Sequence, residues 1–260
     1  MKIEKFKKKK NNIYEIILSD NTSLSFYDDT ILIYNLLLTK DIDTKELKKI
    51  IEYNSTLEAY YKAINYINKK LRTKKEIIEY LKKYSYTKEQ IEYVIEILIN
   101  NNYLNDYLYI KSYINDQINL TLNGPKKITL DLEKLGFNNS DINNYLDTFD
   151  KDIWKDKIKT IVNKKIKSNH KLSNYILLKK IKQYLINQGY YIDDINNVMD
   201  NITIEENTNI IEKEYDKLYK RLSKKYEDEK LFMMIKYELI KKGFSIDSIN
   251  SIISQKKIHN

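Results

Sequence analysis

The sequence predicts a mainly α protein: four tandem three-helix repeats in an elongated curved array, preceded by a small β-rich module at the N-terminus. Three observations carry this. From residue 56 onward, apolar residues recur at the helical period of 3.6. A helix–turn–helix signature returns four times at near-constant spacing. The 260 residues hold only four glycines and one proline, too few for the turns of sandwiches, barrels or doubly wound α/β folds.

The β-rich module reads first. Ile13–Ser19 and Thr22–Tyr27 are short β-prone runs joined by Asp20-Asn21, residues that tolerate the positive φ of a tight turn. Tyr14, Ile16 and Leu18 fall on one face of the first run, Leu24 and Phe26 on one face of the second. Ile31–Leu38 is a candidate third strand, and Thr44 opens a short helix with Leu47, Ile50 and Ile51 on its apolar side.

Helical patterning then takes over. Leu57, Tyr60, Tyr61, Ile64, Ile67 and Leu71 form a stripe. Thr73-Lys-Lys-Glu76 and Thr87-Lys-Glu-Gln90 are capping boxes, in which the hydroxyl takes the N3 amide and the acid or amide side chain reaches back. The second opens a helix with Ile91, Val94, Ile95 and Leu98 inward, so three helices occupy roughly 56–102.

The unit recurs. Leu81, Leu132, Leu185 and Leu239 lie 51, 53 and 54 residues apart. Each is followed at +5 by an aromatic (Tyr86, Phe137, Tyr190, Phe244) and at +10 by isoleucine, and Gly136, Gly189 and Gly243 hold the +4 position. A helix ending in a residue at φ > 0 explains the glycine, and the aromatic folds back onto the helix. Ser85 stands in the glycine place of the first copy, which predicts a strained or differently closed turn. The boundaries expected are 1–54 for the β-rich module and 55–104, 105–149, 150–203 and 204–260 for the four repeats.

Composition narrows the chemistry. With no cysteine there is no disulfide frame, thiolate nucleophile or cysteine-ligated zinc. The glycines are too scattered for a phosphate-cradling loop. Two histidines, His170 and His259, offer no convincing dyad, and the pairs Asp28-Asp29, Asp193-Asp194 and Glu205-Glu206 read as turn and helix-start residues. No catalytic residue, metal site or cofactor is expected. Met1–Lys10 lacks the apolar stretch of a secretory signal, and the longest apolar run, Ile31–Leu38, is far short of the ~20 residues of a membrane span. A cytoplasmic monomer that does not engage membranes is expected.

Charge is more informative. The net charge is +9, and Lys151–Leu185 alone holds eleven lysines and two aspartates, with a second basic segment at Met1–Lys10. Compositional bias toward lysine, asparagine, isoleucine and tyrosine accounts for part of this. Segregation argues for more, because Trp154, Ile158, Ile161, Val162 and Ile166 take one side of a helix while Lys155, Lys159 and Lys167 lie away from it and Lys164 and Lys165 flank it. With Lys171, Lys179, Lys180 and Lys182 following, a continuous basic face suited to phosphates or an acidic protein surface is expected. The twenty-four tyrosines are read chiefly as core and boundary packing, rather than as a base-stacking platform.

Short motifs add a resemblance. Leu71-Arg72-Thr73-Lys-Lys-Glu76, Asn102-Tyr-Leu-Asn-Asp106 and Gly124-Pro-Lys-Lys-Ile128 resemble the signatures of the RecX family, bacterial regulators of the RecA recombinase. Asn102 stands in a glycine place and Tyr109-Ile110 departs from the usual Phe-Ala. The most specific stretch is about 56–148; the last two repeats carry the periodicity but few family-specific residues, so the resemblance there rests on copy number and spacing. The resemblance implies a non-enzymatic modulator that binds the RecA filament on single-stranded DNA and restrains its extension, ATPase, strand exchange and co-protease activity. Contact residues expected from the charge map are Lys155, Lys159, Lys164, Lys165, Lys167, Lys171, Lys179 and Lys180, with Arg72, Lys126 and Lys127 carried over by motif. Two alternatives stay open: a helix-turn-helix-like protein binding DNA directly, and a helical-repeat interaction scaffold.

Overall fold

The structure is a computed structural model and describes residues 1–204 and 207–258. The pair Glu205-Glu206 and His259 lie outside the described residues.

Strands β1 (Ile3–Lys8), β2 (Ile13–Leu18) and β3 (Ser23–Tyr27) form an antiparallel sheet in that order. The Asp20-Asn21 turn forms as its residues suggest: Asn21 adopts φ 63°, and Asp20 Oδ1 accepts from the Thr22 amide at 3.0 Å. Register pairs Tyr14 with Phe26 and Ile16 with Leu24, which puts the apolar side chains on one face, with Ile16, Leu18 and Phe26 buried.

The third strand is not where the sequence suggests. It is β1, in which Lys5 and Lys7 take the face opposite Phe6; the lysines mask an alternating pattern. Ile31–Leu38 instead belongs to α1 (Asp28–Ile33) and the turns after it. Asp28 and Asp29 occupy the positive end of that helix, and Asn35 at φ 50° turns the chain back. Of this run Ile31 and Leu36 are buried in the module's core, and Tyr34 packs against it half-buried.

Helix α2 (Thr44–Ile67) is continuous, so the two helices expected around residue 54 are one. Asn54 explains the misreading. Its side chain does not compete for helix backbone: Oδ1 accepts from the Tyr27 amide at 2.9 Å and from Thr30 Oγ1 at 3.0 Å, and Nδ2 donates to Ser25 O. The first half of α2 buries Leu47 and Ile50 against the sheet; the second buries Ala59 and Ala63 against α3 (Lys74–Lys82) and α4 (Lys88–Asn100). Ile51 is exposed, and Leu71 lies past the end of α2 and is exposed too. Small alanines let the helices approach, and Tyr60, Ile64 and Ile67 flank them. Both capping boxes are present with both hydrogen bonds made.

Helices α5 (Asp106–Leu120), α6 (Pro125–Lys134), α7 (Asn139–Leu146), α8 (Asp152–Lys167), α9 (Asn174–Asn187), α10 (Ile192–Asp200), α11 (Thr208–Leu222), α12 (Asp228–Lys241) and α13 (Ile246–Ile258) complete the chain. All four signature leucines are fully buried, as are Ile142, Ile195 and Ile249, with Ile91 nearly so. Gly136, Gly189 and Gly243 have positive φ, and Ser85 adopts φ 60° in the same place, the left-handed strain its side chain incurs. Asn102, also at φ 60°, closes its turn as asparagine can. Pro125 opens α6, where a missing amide costs nothing.

The chain divides into two compact units: Met1–Lys111 with Leu135–Phe137, and Ser112–Lys134 with Asn138–Asn260. No helix among the described residues is long and apolar enough to cross a membrane.

Candidate functional site

The lysine-rich segment is α8, its loop and α9. Trp154, Ile158, Ile161 and Val162 of α8 are buried, as are Leu177, Ile181 and Leu185 of α9 and Ile195 and Val198 of α10. Each such side chain contributes roughly 1.5–3 kcal/mol on burial, so the helices that display the lysines are held by their own core.

The lysines fall into three kinds. Lys155 pairs with Asp152 at 2.8 Å and Lys159 with Asp156 at 3.3 Å. The Lys155 hydrogen bond holds the Asp152 carboxyl below the usual carboxylate range, and the same bond raises Lys155. Lys165 lies over the Tyr184 ring, 3.7 Å from its centroid, its charge directed to a π face. Lys164, Lys167, Lys171, Lys179 and Lys180 are exposed and make no ion pair among the described residues. Lys164, Lys165 and Lys167 sit in the last turn of α8, where the helix's negative end favours cations. The available positive charge therefore gathers at the end of α8, in the following loop and midway along α9. His170, in that loop, is exposed.

Lys157 behaves differently. Its Nζ donates to the carbonyls of Ile118 and, at 2.8 Å, Thr121, closing the C-terminal end of α5. Burial pushes its ammonium below the ordinary lysine value. Its place immediately before Ile158, on the edge of the apolar stripe, is the one sign of this in the sequence.

The residues carried over by motif are set among structural contacts. Arg72 stacks on Tyr66 at 3.7 Å and pairs with Glu76 at 3.1 Å, with its side chain only 12% exposed. Lys126 is exposed and lies over the Tyr191 ring at 4.8 Å, and Lys127 donates to Gln188 Oε1 at 3.5 Å. These two belong to the start of α6, which rests on the turn after α9: Gly124 N donates to Gln188 O at 2.7 Å and Lys126 N to Gly189 O at 3.0 Å. Tyr190 OH donates to Leu122 O at 3.0 Å beside them.

Tandem three-helix units define a helical-repeat protein, here with exposed lysines on α8 and α9 that make no ion pair among the described residues. Residues 59–98 match the family model for the first three-helix domain of RecX. Over 259 residues the chain is 31% identical to the regulatory protein RecX of Streptococcus uberis, covering 98% of this chain and 99% of that one. It is 28% identical to the regulatory protein RecX of Oceanobacillus iheyensis, covering 95% and 94%. Among solved structures, a crystal structure of regulatory protein RecX superposes with a TM-score of 0.67 at 22% identity, covering 77% of this chain and all of that one. RecX from Lactobacillus salivarius gives 0.51 at 27% identity, covering 56% and 94%. The chain belongs to the RecX family of regulatory proteins.

Proposed function

We propose that this regulator acts on the RecA recombinase, binding the RecA filament on single-stranded DNA and restraining its extension, ATPase, strand exchange and co-protease activity. It does so without chemistry of its own, as a cytoplasmic monomer. Membership in the RecX family supports the partner. The observation that carries the mode of binding is the set of exposed lysines Lys164, Lys167, Lys171, Lys179 and Lys180, which make no ion pair among the described residues. Cations on a pre-packed surface attract a polyanionic filament with little ordering cost. Lys155, Lys159, Lys165, Lys126 and Lys127 are given a lesser part, each already held by a carboxylate, ring or amide. Arg72, stacked on Tyr66 and paired with Glu76, is given the least part in binding.

The test is single-strand-dependent ATPase and strand exchange by the cognate recombinase with this protein added substoichiometrically. Both rates are expected to fall. Unchanged rates overturn the proposal. Titration with naked DNA separates the direct-binding alternative, for which affinity would be high, steeply salt-dependent and indifferent to recombinase.

A further inference from the structure

Helix α12 is apolar on two sides. Leu231, Ile235 and Leu239 are buried against α11 and α13. On the opposite side Met233, Tyr237 and Ile240, spaced i, i+4 and i+7, are 62%, 56% and 45% exposed. A helix with one buried stripe completes its packing with a polar outer face; one that is apolar on both sides presents a second surface for a partner.

The surroundings of that outer stripe are cationic. By the helical period Lys230 and Lys241 flank it on one side and Lys236 on the other. On the Lys236 side an open groove of about 730 Å³ runs between α12 and α13, floored by Phe232, Met233 and Ile253 and reaching Lys257. The partners of these lysines are neutral: Lys236 donates to Asn250 at 2.8 Å, and Lys230, Lys241 and Lys257 lie over the rings of Tyr226, Tyr237 and Phe232. None of the four pairs with a carboxylate among the described residues, and Glu229 is the one acid lining the groove.

We infer that the outer face of α12, with the α12–α13 groove, docks an acidic amphipathic helix of a protein partner. The spacing of Met233, Tyr237 and Ile240 matches the anchor spacing of helix-in-groove recognition, and four uncompensated lysines select a partner whose apolar stripe is bordered by Asp or Glu. Nucleic acid is the poorer occupant, because the two rings a base could stack on, Tyr237 and Phe232, are already covered by Lys241 and Lys257.

The face lies on different helices from the exposed lysines of α8 and α9, and the test uses no recombinase, so its outcome is independent of the proposed function. The full chain is titrated with a fluorescein-labelled peptide of about 18 residues, long enough to span α12 at ~1.5 Å per residue, built from glutamate around a leucine stripe. Binding is expected to weaken about tenfold in Met233→Glu, and similarly in the combined Lys230→Glu, Lys236→Glu and Lys241→Glu variant. A glutamine-for-glutamate peptide is expected to bind more weakly than the acidic one. Lys230, Met233 and Lys241 are exposed and Lys236 is half-buried, and unchanged thermal melts verify that the variants fold. Absence of binding by the acidic peptide, or binding unaffected by both variants, overturns the inference. So does an oligothymidylate that binds this chain and is lost in the same two variants while the acidic peptide is not bound.

Discussion

Gly124 and Gly189 meet backbone to backbone: a Cβ on Gly124 would lie 2.6 Å from the Gly189 carbonyl carbon, and one on Gly189 would lie 2.7 Å from the Lys127 Cβ. The two glycines belong to different motifs, one before a helix and one after, and the structure makes them a single contact. The amide of Gly124 donating to Gln188 O at 2.7 Å depends on that closeness.

Alanine scanning of the repeat glycines should therefore separate strain from collision. Gly136 has φ 98° and open space around its Cβ direction, so Gly136→Ala should cost only the left-handed strain, about 1–2 kcal/mol. Gly189→Ala adds a clash with backbone that has nowhere to go, and should cost about 3 kcal/mol or more. Equal urea midpoints for the two variants would refute this account.

Charge reversal should distinguish free lysines from neutralised ones. Lys164→Glu with Lys167→Glu and Lys179→Glu with Lys180→Glu are expected to weaken filament binding by about tenfold or more. Lys155→Glu with Lys159→Glu, which also strands Asp152 and Asp156 beside new acids, should weaken it less at physiological salt. Fluorescence anisotropy of labelled RecA–DNA filaments reads the difference, and all variants should keep the native melting temperature within a few degrees.

Lys157→Met should behave as a stability mutant. It removes the donor to Thr121 and Ile118 carbonyls and is expected to cost about 1–3 kcal/mol. Its effect on filament inhibition should vanish once measured at a temperature where the variant is fully folded.

Alkaline pH should unfold the protein earlier than lysine chemistry alone would. Tyr61 OH donates to Asp29 Oδ2 at 2.6 Å, and that bond holds the phenol well above its ordinary 10.0. Burial raises Tyr190 in the same direction. In both cases the folded state retains a proton that the unfolded chain releases above pH 10. The stability they contribute is thus complete below pH 10 and is lost as pH rises beyond it, by up to about 1.4 kcal/mol per pH unit per tyrosine. Tyr61→Phe should cost about 1–2 kcal/mol at pH 7 and flatten the loss between pH 10 and 11 in urea titrations.

Tyr215→Phe should be neutral or stabilising by up to about 1 kcal/mol. Its hydroxyl is buried in the core of α11–α13 without a hydrogen-bond partner among the described residues, and removing it ends that desolvation cost. A clear destabilisation would show that the oxygen is satisfied.

The repeat core was legible because one leucine, one left-handed turn residue and one isoleucine sit at fixed offsets, and burial follows those offsets in every copy. Elements decided by long-range contacts were not legible. Asn54 resembles a helix breaker until β3 occupies its side chain. Lys5 and Lys7 resemble a basic tail until strand pairing sends them to the face opposite Phe6. Within the candidate site, charge density was readable, but partnership was not: Asp152 and Asp156 sit three residues before Lys155 and Lys159, and only the geometry shows both bridges formed.

The unbroken α2 has a consequence for how the protein opens. Its N-terminal half belongs to the sheet's core and its C-terminal half to that of α3 and α4, so neither can melt without fraying the helix that completes the other. The N-terminal hairpin and the first three-helix unit should exchange their slowest amide hydrogens as one cooperative foldon. A protease would find no hinge near residue 54 at which to part them.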